Sequence, residues 1–389
     1  MKKKPVKIFL LALIVFLGLG LRLFAANHLN IVQDEPIYTA AGVRYASHMR
    51  TGKWNMLAWQ DKNLEHPVLF KILYGFVMLT QPAPNINVTV DVKRFSPIEN
   101  NVGKPWVLAG RYTSAVIGSL VVVVMAILNP FAGLFMAIQS TAVLYTSSVY
   151  LEALPLFGSI LCAIFYLKWF QALQQPENMG IRQHWWLFLS SGALGATAAS
   201  KYIYCVVGLA IVVHYMIFAI KKHLFLRSLA FMIGWGVFAL LAFFVFDPYL
   251  WPHPKERLLA SLTYHHEYAQ SDDVKEFNYP FWQVFVWLSG SIPTTVPAFK
   301  QGILIALDLP ISLLAVSGLP ILWKKNPLYM IWLGLGILVL FLWPAKWTQY
   351  TMIIMAPYCL SAGESLCWIG RWLGRIKPLK GVIKDKIDR

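Results

Sequence analysis

Two adjacent carboxylates, Asp34 and Glu35, follow within a few residues of an apolar run that closes near Phe24. A carboxylate so close to hydrocarbon is costly unless water, a cation or a substrate receives it. The stretch that they open ends in EHPVLFKILYGF, which adds His66 and Lys71. Arg111, Glu152, Lys201 and the pair Lys346 and Tyr350 recur farther along, each where an apolar segment gives way to a polar turn. Together they offer carboxylates that can take a proton from a hydroxyl and cations that can hold an anion, such as a phosphate, at membrane depth. Each also has a plainer reading. Asp34 and Glu35 fit an Asp-Glu-Pro turn in a solvated loop, and Lys201 in ASKYIY can snorkel to the interface. Glu152 can cap a helix N-terminus, and Arg111 and Lys346 can anchor span ends. The set, more than any member, points to a site.

The elements that must position these residues are membrane helices. Of 389 residues, 58% are hydrophobic and 13% charged, with a mean hydropathy of +0.56, and no ordinary soluble chain has that balance. The net charge of +16 sits largely in short clusters between apolar runs, as membrane orientation expects, so it does not imply nucleic acid. Cys162, Cys205, Cys359 and Cys367 lie in apolar segments without a CxxC pair and read as small buried hydrophobes. His265 and His266 are adjacent, a poor spacing for one metal, and suit a surface role. His214 and Asp308 are polar residues inside spans, where packing or helix–helix hydrogen bonding accounts for them.

MKKKPVK precedes the run Ile8 to Phe24, which has no clear cleavage site and reads as an uncleaved first span with its N-terminus inside. Nine more spans follow at about 106–128, 130–148, 152–170, 185–200, 202–220, 228–246, 302–323, 327–344 and 348–368. Pro67 to Thr80 is apolar but only 14 residues long, short of the ~20 needed to cross, and reads as an interfacial helix. With ten spans, the clusters Lys168/Arg182, Lys221/Lys222/Arg227 and Lys324/Lys325 and the basic tail 369–389 all fall inside. Of the 18 Asp and Glu, only Glu177, Asp385 and Asp388 fall clearly on that side. Counting Pro67 to Thr80 as an eleventh span would reverse the pattern.

The expected architecture is an all-α polytopic membrane protein of about ten transmembrane helices. It forms a single integral-membrane domain over 1–389, with interfacial helices in two large extracytoplasmic segments, 26–104 and 247–301. The second is dense in Trp, Tyr and His, as suits the headgroup level. The sequon Asn87-Val88-Thr89 lies in the first. The predicted location is the cell membrane, with the site on the extracytoplasmic face.

The order of these landmarks resembles that of protein O-mannosyltransferases and their bacterial relatives. Asp34-Glu35 after the first span, then His66-Pro67-Val68-Leu69-Phe70-Lys71, is similar to that family's Asp-Glu pair and HPPLGK-type motif. RYTSAVIGSLVVV resembles its Arg-led second span, YLEALPLF its acidic turn, GATAASKYIYCVVGLA its small-residue run to a lysine, and PAKWTQYTMIIMAPYCLSAG its late basic residue and tyrosine. Val68 and Phe70 replace a proline and a glycine of the motif, and Ile37 stands where the lipid A aminoarabinose transferases have an arginine. The resemblance covers residues 8 to 368 and implies a glycosyltransferase of the GT-C class. Such an enzyme moves a sugar from a polyprenyl-phosphate carrier to an extracytoplasmic acceptor, a protein, lipid or glycan, with inversion. It implies Asp34 as general base or acceptor-positioning group, supported by Glu35. It places His66, Lys71, Arg111, Glu152, Lys201, Lys346 and Tyr350 at the carrier phosphate or sugar. The membrane lipid is a further expected partner. Cations that neutralise a departing phosphate make a divalent cation unnecessary, though it stays open as a cofactor, and no DxD or His-cluster ligand set stands out. The rival class is a transporter or flippase for a lipid-linked or anionic solute, which would show related halves or discontinuous helices in corresponding positions. No internal repeat is visible.

Overall fold

The computed structural model describes residues 3–32, 34–58, 64–83, 104–175, 181–223, 225–290 and 303–373. The sequon Asn87-Val88-Thr89 and the tail 374–389 lie outside the described residues, as do parts of both large loops. The described residues form helices and no strand. In chain order they are α1 (Lys3–His28), α2 (Glu35–Arg50), α3 (Leu69–Met78), α4 (Lys104–Leu128), α5 (Pro130–Ile138), α6 (Ser140–Tyr145), α7 (Ala153–Leu173) and α8 (Ile181–Ala198). There follow α9 (Val206–Lys221), α10 (Phe225–Phe246), α11 (Pro254–Ala269), α12 (Asp272–Phe277), α13 (Gln283–Leu288), α14 (Ile303–Lys325), α15 (Pro327–Leu342) and α16 (Met355–Leu373).

Seven of these segments are long and apolar enough to cross a membrane, namely those of α1, α4, α7, α9, α10, α14 and α16. The other three expected spans are also helical, as α8, the shorter α15 and the pair α5 and α6. This is an all-α polytopic membrane protein. Its outer surface is apolar where lipid would lie: Phe9 and Phe16 of α1 are 71% and 73% exposed, which only hydrocarbon makes inexpensive. Between helices, small residues allow close approach. A Cβ on Gly318 of α14 would fall 1.9 Å from the carbonyl oxygen of Ser361 in α16. The helix α3 is only 10 residues long, about 15 Å, and packs on α2 and the start of α4 at one end of the bundle.

The expected span 130–148 is broken. The helix α5 stops at Ile138, Gln139 is extended (φ −64°, ψ 125°), and α6 restarts at Ser140. Inside a membrane such a break must satisfy its own backbone groups. Arg22 of α1, fully buried, donates to the carbonyls of Met136 (3.0 Å) and Ala137 (3.5 Å), the orphan acceptors of α5, and to the Thr146 hydroxyl (2.8 Å). Asp308 of α14 accepts from the Ser140 amide at 3.1 Å and from its hydroxyl, while the Gln139 side chain accepts from the Ala142 amide at 2.7 Å. A cation closes the C-terminal end of α5 and an anion the N-terminal end of α6, as the helix dipole favours. The break redirects the chain into the segment 146–152, which frames the candidate site.

Candidate active site

Asp34 occupies the turn between α1 and α2 at the N-cap position, half-buried, and its amide donates to the Tyr150 hydroxyl at 3.1 Å. Burial, reinforced by the charges of Glu65 and Glu152, pushes its carboxyl up to about 7 against the opposing pull of Lys201 and Tyr150. Glu35, next in sequence, is fully buried. It accepts from Arg111 at 2.8 and 2.6 Å and from the amides of Val149 (2.7 Å) and Val32 (2.9 Å). Arg111 also donates to the carbonyls of Ala26, Leu29 and Asn30 at 2.8 to 3.0 Å. These are the last carbonyls of α1 and the turn beyond it, so the guanidinium ties α1 to α2 through α4. Arg111 and Glu35 are held by one another and by backbone, and neither side chain turns a free face toward a ligand.

The segment 146–152 is stitched to the same corner. The Tyr74 hydroxyl of α3 donates to the Tyr150 carbonyl at 2.5 Å and bonds Ser114 of α4 at 2.7 Å. Glu152, at the N-cap of α7, is fully buried and pairs with Lys201, while the Tyr204 hydroxyl donates to its second oxygen at 2.5 Å. Lys201 stands three residues past α8, and its ammonium lies 5.4 Å from the ring centre of Tyr350. Asp34, Glu152, Lys201 and Tyr350 thus converge from four separate stretches of chain.

On the other side of Asp34, the Tyr38 hydroxyl donates to Glu65 at 3.2 Å, and Glu65 lies 3.6 Å from the His66 ring nitrogen. The His66 ring faces His265 of α11, with centroids 5.1 Å apart. Burial and the charge of Lys201 lower both imidazoles, His265 to about 4 and His66 well below the ordinary value, so each is neutral at physiological pH. His66 can accept or donate a hydrogen bond but brings no cation to an anion. The Lys71 ammonium donates to the His66 carbonyl at 2.8 Å and faces the buried Asp247. Burial lowers Lys71 to about 8 and raises Asp247 to about 7, their mutual attraction opposing both shifts. Lys346 donates to the carbonyls of Leu340 (2.7 Å), Phe341 (3.0 Å) and Trp343, so it caps the end of α15.

All nine residues singled out in the sequence lie at one end of the bundle, but they divide in two. Asp34, Glu152, Lys201 and Tyr350 meet, with His66 beyond Glu65; Glu35, Arg111 and Lys346 are engaged in holding helix ends, and Lys71 in holding the His66 carbonyl. Several residues of the cluster escape the sequence reading. Tyr38 had a readable signal, one helical turn after Asp34 and so on its face, and Glu65 stands beside His66. Tyr150, Asp247 and His265 had none, because only the folding of the segment after α6, of the turn after α10 and of α11 brings them in. The indole of Trp347 donates to the Tyr268 hydroxyl at 3.0 Å, joining α11 to the segment before α16 near the cluster. Among the described residues no three His, Cys, Asp or Glu side chains come together to hold a metal.

No family model matches the chain. No curated protein matches it either. Among solved structures it is similar to the S. cerevisiae protein O-mannosyltransferase Pmt1-Pmt2 complex bound to the sugar donor, with a TM-score of 0.40 and 19% identity over 69% of this chain. The match takes in 34% of that protein's chain, so this chain spans about a third of its length.

Proposed function

We propose that this chain is a membrane glycosyltransferase that moves a sugar from a polyprenyl-phosphate donor to the hydroxyl of an extracytoplasmic acceptor, with inversion. The observation that carries the reading is a carboxylate that is both unpaired and partly exposed; Asp247, also without an ion pair among the described residues, is fully buried. Glu35 is neutralised by Arg111 and Glu152 by Lys201, whereas Asp34 has no ion pair among the described residues and stays half-exposed with its acidity tuned near neutrality. Asp34 takes the acceptor proton as the hydroxyl oxygen bonds to the anomeric carbon. The bond from that carbon to the donor phosphate breaks with its electron pair, and the polyprenyl phosphate departs. Lys201, at the ring of Tyr350, is the cation best set to face the phosphate, its pairing with Glu152 fixing its position. A divalent cation stays open as a cofactor; Lys201 supplies the positive charge that this reading needs at the phosphate.

A transporter reading has one feature in its favour, the discontinuous α5 and α6. The half-helix ends are closed by Arg22 and Asp308, which leaves no helix terminus for a solute.

The test is transfer by the purified protein in nanodiscs, supplied with a panel of polyprenyl-monophosphate sugars and extracted membrane acceptors, with mass spectrometry of donor consumed and lipid phosphate released. Wild type should consume one donor, and Asp34→Asn, folded and inserted, should lose at least about a hundredfold, the usual size of a general-base contribution. Near-normal turnover by Asp34→Asn would remove Asp34 as base.

A further inference from the structure

The helix α11 forms for local reasons: Pro254 opens it, and Glu256 stands in its first turn, where the macrodipole favours a carboxylate. Its apolar hold on the bundle is slight. Of its 16 residues only Ser261 is buried, Leu258 and Tyr268 are half-buried, and Leu259 and Leu262 are 59% and 51% exposed. What docks it is a polar stripe of residues four apart, and so on one face. Arg257 donates to the carbonyls of Ala58 and Tyr249, the latter at 2.6 Å. One turn later the Ser261 hydroxyl donates to the Leu64 carbonyl at 2.7 Å. A further turn on, His265 sets its ring against His66. The stripe covers about 12 Å of helix and lies along the chain that leads from α2 to α3.

Glu65 follows directly on the carbonyl that Ser261 holds, and it accepts from Tyr38 at 3.2 Å. The groups that face Asp34 are Glu65, Glu152, Lys201 and Tyr150, and of these only Glu65 lies on the turn that α11 touches. Beyond Glu65 the same turn is fixed without α11, by Lys71 on the His66 carbonyl at 2.8 Å and by the Leu69 amide on the Ala199 carbonyl at 3.0 Å. Loss of the Ser261 bond therefore frees Leu64 and Glu65 and leaves α3 in place. A freed Glu65 moves away from Asp34, because the two charges are alike.

We propose that Ser261 is a positioning residue of the candidate site: its bond to the Leu64 carbonyl docks α11 on this turn and holds Glu65 beside Asp34. The docking is independent of the glycosyltransferase reading, whereas its effect on transfer rests on that reading. The docking is tested by hydrogen exchange of the full-length protein in nanodiscs, read by mass spectrometry. Ser261→Ala should speed exchange over 254–270 about fivefold, the equivalent of one lost hydrogen bond, while α3, α4 and α7 stay as in wild type. Unchanged exchange over 254–270, or an equal rise in α4 and α7, would overturn it. Should Ser261→Ala fail to fold, Arg257→Met frees the neighbouring anchor and is read in the same way, with the same two outcomes. The positioning is tested by the pH dependence of kcat/KM. Ser261→Ala should move the bend acidward by about half a unit, and that shift should vanish in a Glu65→Gln background; a purely structural role lowers the plateau and leaves the bend where it is. A bend that stays put, or that moves as far with Glu65→Gln present, would overturn the positioning. A wild type that transfers nothing counts against the glycosyltransferase reading, and the exchange result then decides the docking by itself.

Discussion

Replacing Arg111 by Met keeps the length of the side chain and removes its charge, which separates two roles that the position could have. Arg111 is 3% exposed and Glu35 0%, and their contacts at 2.8 and 2.6 Å make a bidentate pair. Without the guanidinium, Glu35 keeps only the amides of Val32 and Val149, and the carbonyls of Ala26, Leu29 and Asn30 lose a donor. Removing one partner of a buried pair costs about 3 to 5 kcal/mol. At about 2 °C per kcal/mol for a large domain, the melting temperature should fall by roughly 6 to 10 °C. The assay is thermal unfolding in nanodiscs, followed by tryptophan fluorescence. Adding Glu35→Leu to Arg111→Met removes the uncompensated carboxylate and should recover about half of the loss, because exchanging a whole buried pair for apolar groups is often near neutral. An Arg111→Met protein that melts within about 1 °C of wild type while its KM for donor rises would refute the reasoning and return Arg111 to the carrier phosphate.

Three further outcomes follow from the same geometry. Because Asp34 works as a base only when ionised and its carboxyl sits at about 7, kcat/KM for transfer should climb roughly tenfold per pH unit below 7 and level off above it. Glu65→Gln, which removes a like charge, should shift that bend acidward by about half a unit or more; a profile flat from pH 5.5 to 8 would discard Asp34 as the titrating base. Lys201→Met should raise the KM for donor by about tenfold or more and lower the melting temperature, and a destabilised protein with an unchanged KM would make Lys201 only the partner of Glu152. Asp308→Ala leaves the Ser140 amide and hydroxyl without an acceptor and should cost about 2 kcal/mol, visible as a lower melting temperature; a change below about 0.5 kcal/mol would mean that α6 needs no such cap.

The sequence makes the helical, polytopic architecture legible because crossing a bilayer demands long apolar runs, and such runs are local. The shortness of α3 is legible for the same reason. The break at Gln139 is not: residues 130–148 read as one apolar stretch, and what interrupts them is Arg22 from α1 and Asp308 from α14, contributions that no window on the stretch contains. The same limit governs the site. A charge at the edge of an apolar segment is visible, but whether it faces a ligand or a carbonyl depends on which helix end lies next to it. Arg111 and Lys346 look alike in sequence to Lys201, yet the first holds the end of α1 and the second the end of α15.

That difference explains how one carboxylate comes to be singled out. A membrane bundle whose helices end at different depths leaves carbonyls exposed at each end, and cations are the donors that satisfy them in a poor solvent. Arg22, Arg111 and Lys346 are engaged in this way, and Lys71 donates to the His66 carbonyl. Of the cations that remain, Lys201 pairs with Glu152. Three carboxylates are correspondingly closed off, Glu35 by a guanidinium and two amides, Glu152 by an ammonium and a phenol, and Asp308 by Ser140, while Asp247 is shut away by burial. Asp34 keeps a backbone hydrogen bond through its amide, which fixes its place without neutralising its charge. Asp34 is thereby held in position, partly wet and easily protonated, beside Lys201 and Tyr350. Structural cations elsewhere in the bundle are engaged with helix ends, which leaves the Asp34 carboxylate with the pull of Lys201 and Tyr150 but no ion pair among the described residues.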